Sequence, residues 1–400
     1  MHLTRFALAA GLTIGSAGTA LPAAAQQQPP AVENCLQKDW FAPPPTYKSV
    51  EVLADGRVTF RICAPNAKEA KVVTSDIPGF PAGLKNGFSE GLPMQRDATG
   101  LWSVTSTAPI APDTYRFNFQ VDGAPVPDPR GATWSEQVNG ITTTFEVPGA
   151  AGAFQAYDRA VPHGTVSTIE YWSDSIGAKR RAHVYTPPGY MTSSRRYPVV
   201  YLVHGAGDSD DSWTSVGHAN YILDNLIATG KALPMIVVMP AGHTPATVTA
   251  NLLKNDAFGA DLTKDLIPFV DRTYRTQPTA ASRAMAGLSM GGAHTLQFGL
   301  PRSDLFRYIG IFSMGLGVRD PSEVTAYETA NATALKQAAQ RMRLVYYAIG
   351  KDDFLYASAA PTRAMMDKYG IRYGYHESEG GHTWINWRRY WRDLAPLLFR

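Results

Sequence analysis

The run Arg283-Ala-Met-Ala-Gly-Leu-Ser-Met-Gly-Gly constrains this chain more than any other stretch, because it sets Ser289 in a G-x-S-x-G elbow at the end of a small, apolar, strand-like segment. A sharp turn from strand to helix lifts a serine hydroxyl clear of a sheet. Glycines at 287 and 291 let the flanking strand and helix come close enough to make that turn. The run that follows, Gly292-Ala-His-Thr-Leu-Gln-Phe, reads as the helix, with the positive end of its dipole under the serine. A Gly-Ser-Gly turn can also be purely structural, so the partners supplied by the rest of the chain decide its meaning.

A nucleophilic serine needs an imidazole base and a carboxylate to orient it, and in α/β hydrolases these follow along the chain in the order Ser, Asp or Glu, His. Of the nine histidines, His2 falls in the leader, and His163, His183, His204, His218 and His243 precede Ser289. His294 lies on the helix after the elbow, before every candidate acid. His376 sits inside Tyr373-Gly-Tyr-His-Glu, a predicted strand, whereas His382 follows Gly380 and Gly381 in a loop suited to holding a ring over the sheet edge. His382 is therefore the predicted base. The acid should stand just beyond a strand, and Leu344-Val-Tyr-Tyr-Ala-Ile-Gly is the continuous apolar run expected of a buried parallel one. It ends at Gly350-Lys-Asp-Asp, which offers Asp352 or Asp353; one of the two is expected to cap the next helix, and Asp353 is the favoured acid.

A second buried strand, Val199 to Val203, runs into His204-Gly-Ala-Gly, a loop able to turn backbone N–H groups toward a developing oxyanion. The N–H of Met290 and that of Gly205 or Ala206 are the two predicted donors. Met235 to Met239 and Tyr308 to Ser313 read as further strands. Asp261 to about Tyr274 reads as an amphipathic helix that Pro268 should kink.

The first 25 residues carry a basic start, an apolar stretch and Ala23-Ala-Ala, the pattern of an export signal, so the mature protein is expected to be secreted or periplasmic. No later run is long and apolar enough to span a bilayer. The net charge of +3 is small for 400 residues and no basic cluster interleaves with aromatics, which argues against a nucleic-acid partner. No His or Cys pair has metal-ligand spacing, and no cofactor is implied. Cys35 and Cys63 are too few for a disulfide scaffold, but can pair in an exported protein.

Residues 26–47, rich in Gln and Pro, read as a linker. From 48 to 148 the pattern changes to short alternating segments: Val58, Phe60 and Ile62, then Tyr115, Phe117 and Phe119, alternate with polar neighbours. Asp55-Gly56 and Asp122-Gly123 are hairpin signals, and an all-β, immunoglobulin-like sandwich is the predicted architecture. Pro148 to Ala153 reads as a break, and 157–400 as an α/β hydrolase domain with a mostly parallel sheet flanked by helices. On this reading a chain starting near Tyr157 should retain hydrolysis of small esters.

The blocks Val184-Tyr-Thr-Pro-Pro-Gly-Tyr, Tyr201-Leu-Val-His-Gly-Ala-Gly-Asp, Gly287-Leu-Ser-Met-Gly-Gly, Gly350-Lys-Asp-Asp and Gly381-His-Thr-Trp resemble the family 1 carbohydrate esterases and the related enterochelin esterase and esterase D group. Val58-Thr-Phe-Arg-Ile-Cys-Ala-Pro-Asn-Ala and Tyr115-Arg-Phe-Asn-Phe-Gln-Val-Asp-Gly are similar to the sandwich modules that precede glycogen branching enzymes, a carbohydrate-binding type; Cys63 departs from the bulky aromatic usual there. The resemblance implies feruloyl or acetyl esters on plant cell-wall polysaccharide, or small aryl esters, as substrates. It implies Ser289, Asp353 and His382 as the triad. A siderophore triester is an alternative substrate, and a non-catalytic glycan-binding protein an alternative class that has no chemical need for these three residues. Trp213, His243 and Trp384 lie in loops expected to border the site, and Trp102 and Trp134 are candidates for stacking on sugar rings or for the core.

Overall fold

The computed structural model describes residues 34–77, 80, 90–245 and 255–400, so the signal read over 1–25 and the first part of the segment 26–47 lie outside the described residues. The chain forms an N-terminal β region and an α/β region. The first comprises β1 (Val50–Val52), β2 (Val58–Cys63), β3 (Ala70–Val73), β4 (Leu92–Pro93), β5 (Gln95–Arg96), β6 (Leu101–Thr105), β7 (Asp113–Val121), β8 (Ala124–Val126), β9 (Trp134–Gln137) and β10 (Gly140–Val147). They form two antiparallel sheets, ordered β1-β2-β6-β5 and β4-β3-β7-β10-β9 with β8 on β7. The period-2 pattern is realised as inward-facing rows: Val58, Phe60 and Ile62 of one sheet and Tyr115, Phe117 and Phe119 of the other share one buried cluster. Asp122 and Gly123, both at positive φ (47° and 84°), make the tight turn between β7 and β8.

The described part of the segment read as a linker is tied down. Cys35 is disulfide-bonded to Cys63 across 28 residues, and Arg130 donates to the Pro45 carbonyl at 2.9 Å while lying 4.7 Å over the Tyr47 ring.

The α/β region holds one eight-stranded sheet of β11 (Thr165–Ser173), β12 (Ala178–Thr186), β13 (Val199–Val203), β14 (Ile236–Pro240), β15 (Arg283–Leu288), β16 (Tyr308–Phe312), β17 (Leu344–Gly350) and β18 (Gly374–Ser378), ordered β11-β12-β14-β13-β15-β16-β17-β18. The first two strands pair antiparallel and the other six run parallel. The central strands β13 to β16 are buried throughout, which is why they read as unbroken apolar runs. Helices α1 (Ser212–Ser215), α2 (Ala219–Ala228), α3 (Asp256–Ala260), α4 (Ile267–Thr273), α5 (Met290–His294), α6 (Ser322–Arg341), α7 (Ala359–Tyr369) and α8 (Trp384–Leu394) accompany it, with a separate apolar core on each face. The helix expected from Asp261 begins earlier, at Asp256, where the Asn255 side chain caps it by accepting from Phe258 N. The kink expected at Pro268 is absorbed by a π-turn over Asp261–Leu266, which leaves Pro268 in the first turn of α4, where its missing N–H matters little.

The expectation of an independent N-terminal region does not fit the way the two regions meet. The stretch read as a break winds into a 3₁₀ turn, Ala150–Gln155, whose buried Gln155 donates to Asp113 Oδ1 at 2.6 Å. Arg388 of α8, 0% exposed, donates to the same Asp113 Oδ1 at 2.7 Å and to the carbonyls of Thr114 and Val216. Ile385 of the same helix packs onto the N-terminal core. Glu136 of β9 pairs with Arg181 of β12, which also grips Asp210. A polar residue that alternates with apolar ones along a strand reads as solvent-facing; here several face a partner region.

Candidate active site

Ser289 sits between β15 and α5 at φ 52°, ψ −116°, a conformation that a residue with a side chain holds only where its surroundings impose it. The glycines impose it: a Cβ on Gly287 would lie 2.5 Å from the Gly291 backbone, and one on Gly291 would collide with the Val203 carbonyl. Ser289 N donates to the Phe312 carbonyl at 2.9 Å, which fixes the turn against the next strand. Residues 283–288 and 290–294 are buried, while Ser289 is partly exposed. Met290 opens α5, so its N–H is one of the donors a helix start leaves without an intrahelical acceptor.

Asp353 lies in the turn after β17, two strands from the elbow, roughly 10 Å across the sheet at about 4.8 Å per strand. His382, on the loop after β18, bridges toward it: Nδ1 is 3.0 and 2.9 Å from the two Asp353 carboxylate oxygens. A carboxylate only accepts, so Nδ1 carries a proton, which in the neutral ring makes Nε2 the nitrogen with the lone pair. Leu355 N donates to Asp353 Oδ1 at 2.9 Å, and Asp353 is 4% exposed. Asp352 is exposed, and His376 is stacked on Tyr346 at 4.3 Å. The histidine loop is held by Asn386, whose Nδ2 donates to the carbonyls of Glu379 (3.1 Å) and Gly381 (2.9 Å). Asn386 carried no sequence signal beyond its place four residues after His382.

The loop after β13 is pinned carbonyl by carbonyl. His204 accepts from Gly242 N through Nε2 at 2.9 Å, so Nδ1 is protonated and donates to the Gly205 carbonyl at 2.8 Å. His243 Nε2 donates to the Ala206 carbonyl at 2.8 Å. Val138 N, in the N-terminal β region, donates to the Gly207 carbonyl at 3.1 Å. Burial, joined by the neighbouring His243, pushes His204 down to about 4, and burial lowers His243 as well, so both rings are neutral donors near pH 7. The loop abuts the elbow: the point where a Gly205 Cβ would stand is 3.6 Å from Ser289 Cβ and 3.0 Å from Asp208 Oδ2. Asp208 closes the loop and takes Arg116 Nη1 of β7 at 2.7 Å, while Arg116 Nε reaches Asp76 at 2.9 Å. Burial works against the Arg116 charge, but the two carboxylates outweigh it and hold the guanidinium firmly protonated.

Two of the predicted bordering residues take another place. Trp213 and Trp384 are both 0% exposed and meet edge to face at 5.1 Å, so they are core residues and not walls of an open site. Both stand among polar neighbours in sequence, Ser212 and Thr214 beside Trp213 and Thr383 and Asn386 near Trp384, which marks them as loop or surface residues, yet α1 and α8 turn the two indoles inward onto each other. His243 does border the loop, as a brace on Ala206. Phe354, unremarked in the sequence, is the exposed aromatic beside the histidine: it is 74% exposed, with its ring 4.5 Å from that of His382. Trp102 is buried and donates to the Ala64 carbonyl, whereas Trp134 is 55% exposed and lines a cleft of about 420 Å³ with Tyr157, Glu146 and His218. A cavity of about 440 Å³ beside α5, lined by Leu296, Leu316 and Tyr327 among others, contains none of Ser289, Asp353 and His382. Among the described residues no helix is long and apolar enough to cross a membrane, and no cluster of metal-ligating side chains occurs.

The family model described as a putative esterase matches residues 173–393, which contain all three of these side chains. An endo-1,4-beta-xylanase/feruloyl esterase of Xylanibacter ruminicola is 33% identical over 390 residues, 92% of this chain and 49% of that protein, so the chain spans about half the length of this relative. Among solved structures, a ferulic acid esterase from Anaeromyces mucronatus superposes with a TM-score of 0.52 at 21% identity, over 62% of this chain and 94% of its own. The enterochelin esterase of Shigella flexneri superposes with a TM-score of 0.63 at 16% identity, over 88% of this chain and 95% of its own. These neighbours share the α/β hydrolase fold, and the second spans much of the N-terminal β region as well.

Proposed function

The chain belongs to this putative esterase family, and from that premise we propose that it is a carboxylic ester hydrolase with Ser289, His382 and Asp353 as its catalytic triad. The observation that carries this is the Asp353 carboxylate held on His382 Nδ1, at the sheet edge that also presents the strained Ser289. In the proposed reaction Ser289 Oγ bonds to the ester carbonyl carbon as its proton passes to His382 Nε2, and the carbonyl electron pair moves onto oxygen. The N–H groups of Met290 and Ala206 receive that oxyanion. Collapse breaks the bond to the alcohol, which leaves with the proton from His382. Water then gives a proton to the same nitrogen, attacks the acyl carbon, and releases the carboxylic acid as Ser289 Oγ regains its hydrogen. Asp353 holds the ring tautomer and stabilises the imidazolium throughout.

The acyl group we propose is hydroxycinnamoyl, chiefly feruloyl, or acetyl, carried on plant cell-wall polysaccharide. The exposed Phe354 ring beside His382 favours a planar aromatic acyl chain, and the Xylanibacter relative is named for feruloyl ester hydrolysis. A siderophore triester is the second reading, favoured by the span of the enterochelin esterase superposition. The proposal extends to an export signal over 1–25, a sandwich-type β region over 48–148 that contacts glycan through Trp134, and an esterase domain over 157–400. The test compares methyl ferulate, acetylated xylan and a catecholate triester, with the parent and Ser289→Ala side by side. Methyl ferulate is expected to turn over fastest and Ser289→Ala to lose on the order of 10⁶ in kcat; activity of the variant within about tenfold of the parent would overturn the triad.

A further inference from the structure

We propose that the N-terminal β region supplies two positioning groups to the active site, Arg116 and the Val138 backbone, which hold loop 205–208 in its oxyanion-binding shape. The inference rests on Ser289 being the nucleophile and on the Ala206 N–H being an oxyanion donor, and adds to that reading what fixes the donor.

In a trans peptide the carbonyl of one residue and the N–H of the next point in opposite directions. Pinning the Gly205 carbonyl to His204 Nδ1, and through the turn to Asp208 N at 3.2 Å, therefore aims the Ala206 N–H the other way. The Gly205–Ala206 peptide is next to the elbow, since the Gly205 Cβ point lies 3.6 Å from Ser289 Cβ. His204 and His243 secure the loop from within the α/β region. Its far end is secured from outside: Val138 N holds the Gly207 carbonyl at 3.1 Å, Gln137 and Asp208 form an antiparallel bridge, and Arg116 holds the Asp208 carboxylate at 2.7 Å. A loop of two glycines around one alanine has little stiffness of its own. Without the outside anchors the next hold past Gly207 is at Asp210, beyond the loop, where Arg181 and His183 of β12 grip the carboxylate.

Arg116 has a second effect at this place. Asp208 Oδ2 lies 3.0 Å from the same Gly205 Cβ point that faces Ser289, so its negative charge stands close to where the oxyanion must develop. An uncompensated carboxylate there would oppose that charge. The Arg116 guanidinium, buried with Asp208 and shared with Asp76, offsets part of it.

An oxyanion donor stabilises the transition state more than the bound ester, so misplacing it lowers kcat and leaves KM nearly unchanged. Arg116→Gln removes the charge and the fork, and Val138→Pro removes only the N–H that holds Gly207. Turnover of methyl ferulate is measured for both at a temperature where each shows an intact cooperative melt, along with affinity for an aryl boronate that adds to serine as a tetrahedral mimic and for ferulate as product. Removing one oxyanion donor outright costs roughly 10²- to 10³-fold; displacement should cost about tenfold or more in kcat, with a parallel loss of boronate affinity and unchanged ferulate affinity. Ser135→Ala deletes a 2.8 Å hydrogen bond to Ser215 across the same seam but away from the loop, and should leave kcat at the parental value. If Arg116→Gln fails to fold, Val138→Pro decides. A kcat within twofold of the parent, or a loss confined to KM, overturns the positioning role. Should Ser289→Ala keep its activity in the same assay, the triad reading fails instead, so the two failures are told apart.

Discussion

In the N-terminal β region the core is a cluster of interlocked rings, with Phe60, Phe117 and Phe145 at 5.1 to 5.5 Å from one another, whereas the α/β region buries strands of mixed aliphatic and aromatic residues between two helical layers. Each has an apolar core of its own. Where they meet, buried ion pairs join the apolar and neutral contacts: Arg116, braced by Asp76 of its own region, with Asp208, and Arg388 with Asp113. An apolar seam would make a lasting interface out of area alone. A seam of buried ion pairs adds little net stability over apolar packing, yet losing one side strands a charge in the other. The difference teaches that two regions can each own a core and still be tied together by buried charge.

The severest way to break that comparison is to remove one side. A chain beginning at Tyr157 would leave Arg388 without Asp113 and Asp208 without Arg116, both in what had been the interior. It should be largely insoluble, and any soluble fraction should lose turnover on methyl ferulate and on feruloylated polymer alike, by tenfold or more. Soluble yield and both rates check this. Full activity on the small ester with loss only on polymer would restore the independent-region reading.

Arg388→Met tests the seam without deleting it. The arginine is 0% exposed and its partner Asp113 3%, so the variant leaves a buried carboxylate with the neutral donors Gln155 and Thr114 N and, at 3.9 Å, the half-exposed Arg389 guanidinium. Breaking such a pair should cost about 3–5 kcal/mol, read from urea unfolding, and Asp113→Asn in the same chain should recover part of it. A cost below about 1 kcal/mol would mean that the seam is solvated in solution.

What could be read in advance follows the same division. Ser289 and Asp353 each stand just past an apolar run that ends in glycine or a turn, and β15 and β17 end where those runs end, whereas His382 was read from the Gly380-Gly381 loop after the polar, mostly exposed β18. Short-range pattern carries such information. The seam was not legible, because Arg116 alternates along β7 between Tyr115 and Phe117 and reads as an outward polar residue; its partner Asp208 lies 92 positions away. Trp213 and Trp384 failed for a related reason. Their loop positions suggested an open wall, and only the closure of α1 against α8 buries them. The disulfide lay between: two cysteines have one pairing to choose, and Cys35 with Cys63 takes it.

The mildest test uses pH. His218 stands at the seam, with Nδ1 donating to the Gln155 carbonyl at 3.2 Å, and burial first, then the Arg388 charge, push it down to about 4. In the unfolded chain it titrates near 6.5, so between those values the unfolded state binds more protons, and stability is full above 6.5 and lost as pH falls toward 4. At pH 5 the loss from this one ring should be about 2 kcal/mol, and His204, also pushed down to about 4, adds a similar amount from the α/β side. His218 holds φ 49°, a left-handed conformation that asparagine tolerates, so His218→Asn removes the titration without imposing backbone strain. The drop in unfolding free energy from pH 7 to pH 5, measured with urea, should then shrink by about half and not vanish. An unchanged drop would show that water reaches the seam and that His218 protonates there freely, which would also weaken the case for charged residues sealed between the two regions.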